Sequence, residues 1–322
     1  MSDEKKDMLT VHFQDAVLPY VAFSLRDDYY RAMCDYILDE YAMVRSDEPK
    51  RIIEIGAGVG VSTLQIRRRY KNLEKFIAIE PSPQMKQLCS LHFMGDPQVQ
   101  VLEGNAENIV SLVRGNTNDT FDLICMSQVV SSLHKSTEDS HLLDVLKQIK
   151  SLLNDNGVCA FNLGPYEFSF PLAPYYHSFE KGECVDAKPG EIITELNHPL
   201  YQILHNRVVE IVRKELDGNC QLLWPPIAAR MRREWLQAKA HEAGFTKSFS
   251  LNEYLYELSG DRVLEVMRNS WNVFFRFNFA DLPVDQKIDI MNRAFAQVYA
   301  HKDFEHLRKV KCYHPIAVVV MS

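Results

Sequence analysis

Apolar and polar positions follow two alternating rhythms through the first half of the chain. Residues 27–44 place Met33, Ile37, Leu38 and Tyr41 at helical spacing, with Asp27 or Asp28 positioned to cap a helix. Pro49 separates them from Arg51-Ile52-Ile53-Glu54-Ile55, whose β-branched run predicts a buried strand. A glycine-rich turn follows, then helical spacing from Ser62 to Tyr70. Lys75–Glu80 predicts a second strand stopped by Pro81, and Gln84–Phe93 the next helix. Val99–Leu102, Phe121–Met126 and Val158–Leu163 predict the third, fourth and fifth strands. Leu142–Leu153 reads as a helix between the last two, with Asn156-Gly157 as its stop signal.

Strand and helix thus alternate to residue 164, which predicts an α/β fold: a mainly parallel sheet with helices on both faces. The rhythm breaks at Gly164. Residues 165–230 are rich in proline and aromatics, with one helix from about Leu200 to Leu216. Arg233–Ala243 predicts a helix ending at Gly244, and further helices are expected at about 260–276 and 284–300. Ile316–Val320 is a strongly apolar closing strand.

Composition narrows the function classes. The 322 residues can bury a large core, and 46% hydrophobic with 25% charged residues excludes general disorder. A net charge of −7 lacks the basic footprint of a nucleic-acid binder, so no nucleic-acid partner is expected. The tight arginine clusters, Arg67-Arg68-Arg69 and Arg230 with Arg232-Arg233, read as solvated helix faces. The seven cysteines are odd in number, widely spaced and without a C-x-x-C pair. That pattern fits reduced, buried thiols of a cytoplasmic protein better than disulfides or a zinc site. His198 and His205 lack companion ligands at metal-binding spacing, so no metal is expected. The charged N-terminus carries no apolar stretch of a signal peptide, and no apolar run has membrane-spanning length.

The turn Gly56-Ala57-Gly58-Val59-Gly60 joins a strand to a helix, where glycines permit a tight turn and close approach of backbone to a ligand. Taken alone it leaves a nicotinamide dinucleotide open as a ligand. Two details separate the cases. The dinucleotide fingerprint puts its third glycine three residues after the second, whereas Gly60 follows Gly58 by two, with Ser62-Thr63 where close packing would be needed. Glu54 also stands on the strand itself, able to tether the loop or a ligand ammonium. Glu80, at the carboxyl end of the second strand, is placed for two ribose hydroxyls. Asn105, in the turn Gly104-Asn105-Ala106-Glu107 after the third strand, can meet an adenine amino group.

In this order and spacing the elements resemble the class I S-adenosylmethionine-dependent methyltransferases. Glu54 to Gly60 matches the family's acidic-x-Gly-x-Gly-x-Gly loop and Glu80 its ribose-holding acid. Asn105-Ala106-Glu107 resembles the Asp-Ala-Glu adenine segment, with Asn for Asp, and Ser127-Gln128-Val129-Val130 follows the fourth strand where the family lines the cofactor. Tyr20, Arg26 and Tyr29 resemble the Tyr…Arg-Pro-x-Tyr-Pro leader of a branch that includes trans-aconitate methyltransferase-like enzymes, although Asp27 and Tyr30 replace the prolines. Ala243-Gly244-Phe245, Ser270-Trp271 and Lys311–Pro315 resemble its closing elements. The resemblance implies a Rossmann-like, mainly parallel seven-stranded sheet with a largely helical lid inserted after the fifth strand. It implies S-adenosylmethionine held by Tyr20, Arg26, Glu54, Gly56, Ala57, Gly58, Gly60, Glu80, Pro81, Met85, Asn105, Ala106, Glu107, Ser127, Gln128 and Val129. The corresponding division is 1–50, an N-terminal helical cap; 51–164, the cofactor-binding core; 165–232, an insertion over the substrate; and 233–322, completion of the sheet.

Methyl transfer from a sulfonium needs alignment and desolvation, and a base only if the acceptor must lose a proton. The branch's histidine pair after the fourth strand is replaced by Ser131-Ser132, leaving the displaced His134 as the catalytic candidate. The aromatic segment from Tyr166 through Phe168, Phe170, Tyr175, Tyr176, His177 and Phe179 reads as a lid over a small, partly apolar or aromatic acceptor, with Tyr29 and Trp271 also facing it. Two alternatives stay open: a protein or RNA methyltransferase, and a cofactor-binding regulatory protein without catalysis. No membrane partner is expected, and a homodimer is compatible with the sequence.

Overall fold

The computed structural model describes residues 28–133, 141–164, 168–170, 193–194, 197–215, 231–265, 268 and 283–322. Its centre is built from the β-branched runs. β1 (Arg51–Ile55), β2 (Lys75–Glu80), β3 (Val99–Glu103), β4 (Phe121–Met126) and β5 (Leu153–Leu163) run parallel. β6 (Phe249–Ser259) and β7 (Lys311–Met321) complete a seven-stranded sheet of order β3-β2-β1-β4-β5-β7-β6, with β7 antiparallel to both its neighbours. The mainly parallel seven-stranded sheet is therefore as the resemblance implies.

Alternation along each strand sends side chains to two covered faces. On one face α1 (Asp28–Val44) and α2 (Val61–Arg69) bury Met33, Ile37, Leu38 and Ile66 against Ile52, Leu123, Val158, Ile316 and Val318. The other face is covered by α4 (Ile109–Arg114), α6 (His141–Leu152), α7 (Pro199–Glu215), α8 (Arg233–Glu242) and α9 (Val284–Ala300). There Val113, Ile149, Leu204, Leu236 and Met291 pack with Ile53, Ile124, Phe161 and Val319. α3 (Pro83–His92) packs near β2 and β3, and the short α5 (Val130–Leu133) follows β4.

Several expectations change. The stop signal at Asn156-Gly157 is no helix terminus: α6 ends at Leu152 and β5 begins at Leu153. Gly157 sits where the pairing with β4 shifts register, and a Cβ there would lie 2.7 Å from the Phe121 carbonyl oxygen, so close strand approach is what requires glycine. β6 was not expected from the pattern; it pairs along its whole length with β7. The 260–276 helix is seen at residues 260–265 and 268. Arg68 and Arg69 are exposed, as expected of a solvated helix face, while Arg67 is half-buried. Arg67 donates to Asp96 (2.8 Å) and Gln98 (2.8 Å), and Arg69 to Asp39 (2.7 Å). Phe168 and Phe170, read as lid aromatics, are buried edge-to-face in the core, and Ser169 pairs with Met231. No helix among the described residues is long and apolar enough to cross a membrane.

Candidate functional site

Because β1 to β5 are parallel, their carboxyl ends share one edge, and the order reverses between β1 and β4. A crevice outside such a reversal is the usual ligand position in open α/β sheets. β1 delivers the glycine turn, with Gly56, Gly58 and Gly60 at φ +76°, +55° and +92°. The amides of Gly56 and Ala57 both donate to the Ile79 carbonyl (2.8 and 3.0 Å), sealing the turn onto the end of β2. A Cβ on Gly56 would stand 2.3 Å from Val129 Cγ2, and one on Gly60 3.1 Å from Cys89 Sγ. The turn is therefore glycine for both torsion and space. Ala57 is buried with Ala78, Cys89 and Phe93.

Glu80 closes β2. Its Oε2 accepts from Gly58 N (2.8 Å) and its Oε1 from Ser82 N (2.9 Å). Burial raises its pKa, and the two amide donors oppose that rise. An ionised carboxylate offers about four lone-pair sites, so each oxygen retains an acceptor position for a hydroxyl. Ser82 caps α3 by accepting from Met85 N (3.4 Å), with Pro83 opening the helix. Pro81 is exposed at this edge, while the Met85 side chain is buried.

Glu54 is fully buried. Its carboxylate accepts from the hydroxyls of Ser62 and Thr63 (2.6 Å to Thr63), on the first turn of α2. It tethers the helix that follows the glycine turn and reaches no surface where a ligand ammonium could meet it. Burial lifts its pKa to about 7; the two hydroxyl donors oppose this and Glu80 adds to it.

β3 leads to Asn105, which is exposed and caps nothing with its side chain. It lines a groove of about 320 Å³ with Glu103, Gly104, Asn108, Ser111 and Leu112. Its neighbours turn away from this groove: Ala106 is buried in the core, and the Glu107 carboxylate pairs with His141 Nε2 at 2.9 Å.

β4 delivers Ser127, Gln128 and Val129, all half-buried. Gln128 has φ +59°, the one positive value at a non-glycine among the described residues. On α1, Tyr29 is buried and its hydroxyl meets His314 Nε2 of β7 at 2.7 Å, with Tyr256 edge-on at 5.7 Å. His314 lies three residues beyond Ala317, the partner of Leu163 at the end of β5, and so belongs to the same carboxyl edge. No signal in the sequence had singled out this pairing. Tyr20, Arg26, His134, Tyr166, Tyr175, Tyr176, His177 and Trp271 lie outside the described residues. Among the described residues no cluster of His, Cys, Asp or Glu could hold a metal ion.

The strand order and the acid-bearing glycine edge are those of a Rossmann-like sheet. Residues 25–174, just under half of the chain, match the family described as methyltransferase domain. A curated relative, malonyl-[acyl-carrier protein] O-methyltransferase from Halalkalibacterium halodurans, is 30% identical over 143 residues, 42% of this chain and 49% of that protein. The chain thus spans about half the length of that relative. Among solved structures, the YcgJ protein from Bacillus subtilis is similar at 13% identity, covering 88% of this chain and 97% of its own, with a TM-score of 0.47. A putative sarcosine dimethylglycine methyltransferase from Galdieria sulphuraria gives 11%, 89%, 84% and 0.42.

Proposed function

We propose that the protein transfers a methyl group from S-adenosylmethionine to an oxygen or nitrogen of a small, partly apolar or aromatic metabolite. The observation that carries this reading is the convergence on one sheet edge of the glycine turn, the Glu80 carboxylate and the uncommitted Asn105. The residues suit the donor. Glu80 retains acceptor positions for two ribose hydroxyls, Asn105 offers an amide to the adenine edge, and Gly56 and Gly58 let backbone approach the methionine portion. When bound, S-adenosylmethionine supplies an electrophilic methyl on a sulfonium, whose loss leaves a neutral sulfide.

The chain's own task is then to align the acceptor and keep water from it. Tyr29, hydrogen-bonded to His314, supports an acceptor that must give up a proton. The phenol oxygen can take that proton while passing its own to the imidazole. The curated relative is by name an O-methyltransferase, in keeping with an oxygen acceptor.

Titration calorimetry with S-adenosylmethionine and its demethylated product tests the cofactor. No binding at millimolar ligand would sink the reading. Glu80→Ala is expected to weaken binding at least about tenfold, the scale of hydrogen bonds to a charged group. Equal binding would refute the ribose role. Mass analysis of a metabolite extract after incubation tests the transfer: a small molecule heavier by one methyl group supports it. Cofactor binding with no such product across broad extracts would favour a regulatory binding protein.

A further inference from the structure

We propose that Asn162 is a positioning residue of the cofactor site, acting through the backbone of Gln128; the inference rests on the cofactor reading above. Asn162 lies on β5 one residue beyond the Met126↔Phe161 pair and is 1% exposed. A buried amide inside the apolar run Val158–Leu163 must find partners or cost stability. It finds them at the neighbouring strand end. Asn162 Oδ1 accepts from Gln128 N at 2.8 Å and from Gln128 Nε2 at 3.4 Å. Its Nδ2 lies 3.4 Å from the Met33 carbonyl of α1 and 3.5 Å from Ser127 Oγ.

Gln128 holds φ +59° without being glycine, a conformation that is unfavourable for a side-chain-bearing residue and persists only when its surroundings impose it. The bond from its own amide to Asn162 is the imposing contact. Its consequence is felt on β1. The left-handed turn sends Val129 across the sheet edge, onto the space that a side chain at Gly56 would fill. One amide thus fixes three things together: the turn after β4, the Val129 contact on the glycine turn, and the approach of α1 at Met33. Asn162 touches no reacting atom; it sets the shape of the edge the cofactor meets.

The test uses Asn162→Leu, which keeps the branching at Cγ and removes the acceptor. The full-length variant is titrated with S-adenosylhomocysteine by calorimetry below its unfolding temperature. Binding is expected to weaken about tenfold or more, and hydrogen exchange at residues 127–130 to accelerate without ligand. Adding Gln128→Gly in that background is expected to recover much of the stability that Asn162→Leu loses in urea unfolding, since glycine adopts φ +59° without the restraining bond. Asn162→Asp, which keeps the acceptor oxygen but loses the Nδ2 donor to Met33, is expected to bind more tightly than Asn162→Leu. If Asn162→Leu does not fold, Asn162→Ser, whose oxygen falls short of Gln128, takes its place with the same expectations. Unchanged affinity, unchanged exchange at 127–130, or a loss of stability that Gln128→Gly does not recover would each overturn the inference alone. A native chain that binds no S-adenosylhomocysteine would overturn the cofactor reading and this inference with it.

Discussion

Replacing Glu54 by glutamine should stabilise the protein, and by an amount that depends on pH. The carboxyl is fully buried behind the glycine turn, and burial lifts its pKa from 4.5 to about 7 against two opposing hydroxyl bonds. The folded chain therefore holds the proton to higher pH than the unfolded chain does. Between pH 4.5 and about 7 the native state binds more protons, so this group's contribution to stability falls as pH rises. Below 4.5 the penalty is absent, and above about 7 it is complete. A rise from 4.5 to about 7 corresponds to about 3 kcal/mol. Glutamine keeps the shape, and its amide can accept from one hydroxyl and donate to the other, because Ser62 and Thr63 do both. Urea unfolding of the native chain and Glu54→Gln at pH 5, 6, 7 and 8 measures the difference. The variant's advantage should grow through that series towards about 3 kcal/mol and then level off. A difference that stays constant across the series would show that Glu54 does not titrate there, and the burial argument would fail.

Three further outcomes follow from the packing. Gly157→Ala forces a Cβ to within 2.7 Å of the Phe121 carbonyl and should destabilise by about 1–3 kcal/mol in urea; a neutral result would mean β4 and β5 part easily. Asp122→Ala removes the acceptor of Lys50 N and Arg51 N (both 2.8 Å) and of Asn154 Nδ2 (2.6 Å), and should cost about 1–3 kcal/mol with an unchanged denaturant slope. Met33→Ala, at a position with no exposure, should cost about 2–5 kcal/mol in the same melts, against well under 1 kcal/mol expected for Met43→Ala at 82% exposure.

The elements most legible in the sequence were those whose burial is total. β1, β2 and β4 show continuous apolar runs because both faces of a parallel sheet are covered, and their observed ranges match those runs. β6 was missed for the opposite reason. Asn252, Glu253 and Glu257 break its alternation of apolar and polar positions, and pairing with β7 along its whole length establishes it as a strand. Ser82-Pro83 is a local capping signal that the structure uses to start α3. Asn162 also left a trace, a lone amide in an apolar strand, but its partner is 34 residues away and no local pattern names it.

The glycine turn and the acids at Glu54 and Glu80 follow from the sequence, because strand, turn and helix signals are local and place both acids by simple counting. Their division of labour does not. Only the packed structure turns Glu54 inward to Ser62 and Thr63 and leaves Glu80 at the edge, because burial and hydrogen-bond geometry depend on which strands lie side by side. The same holds for Tyr29 with His314, and for Asn162 with Gln128. Each pair joins elements distant in the chain, and only the order of strands in the sheet brings them within a hydrogen bond.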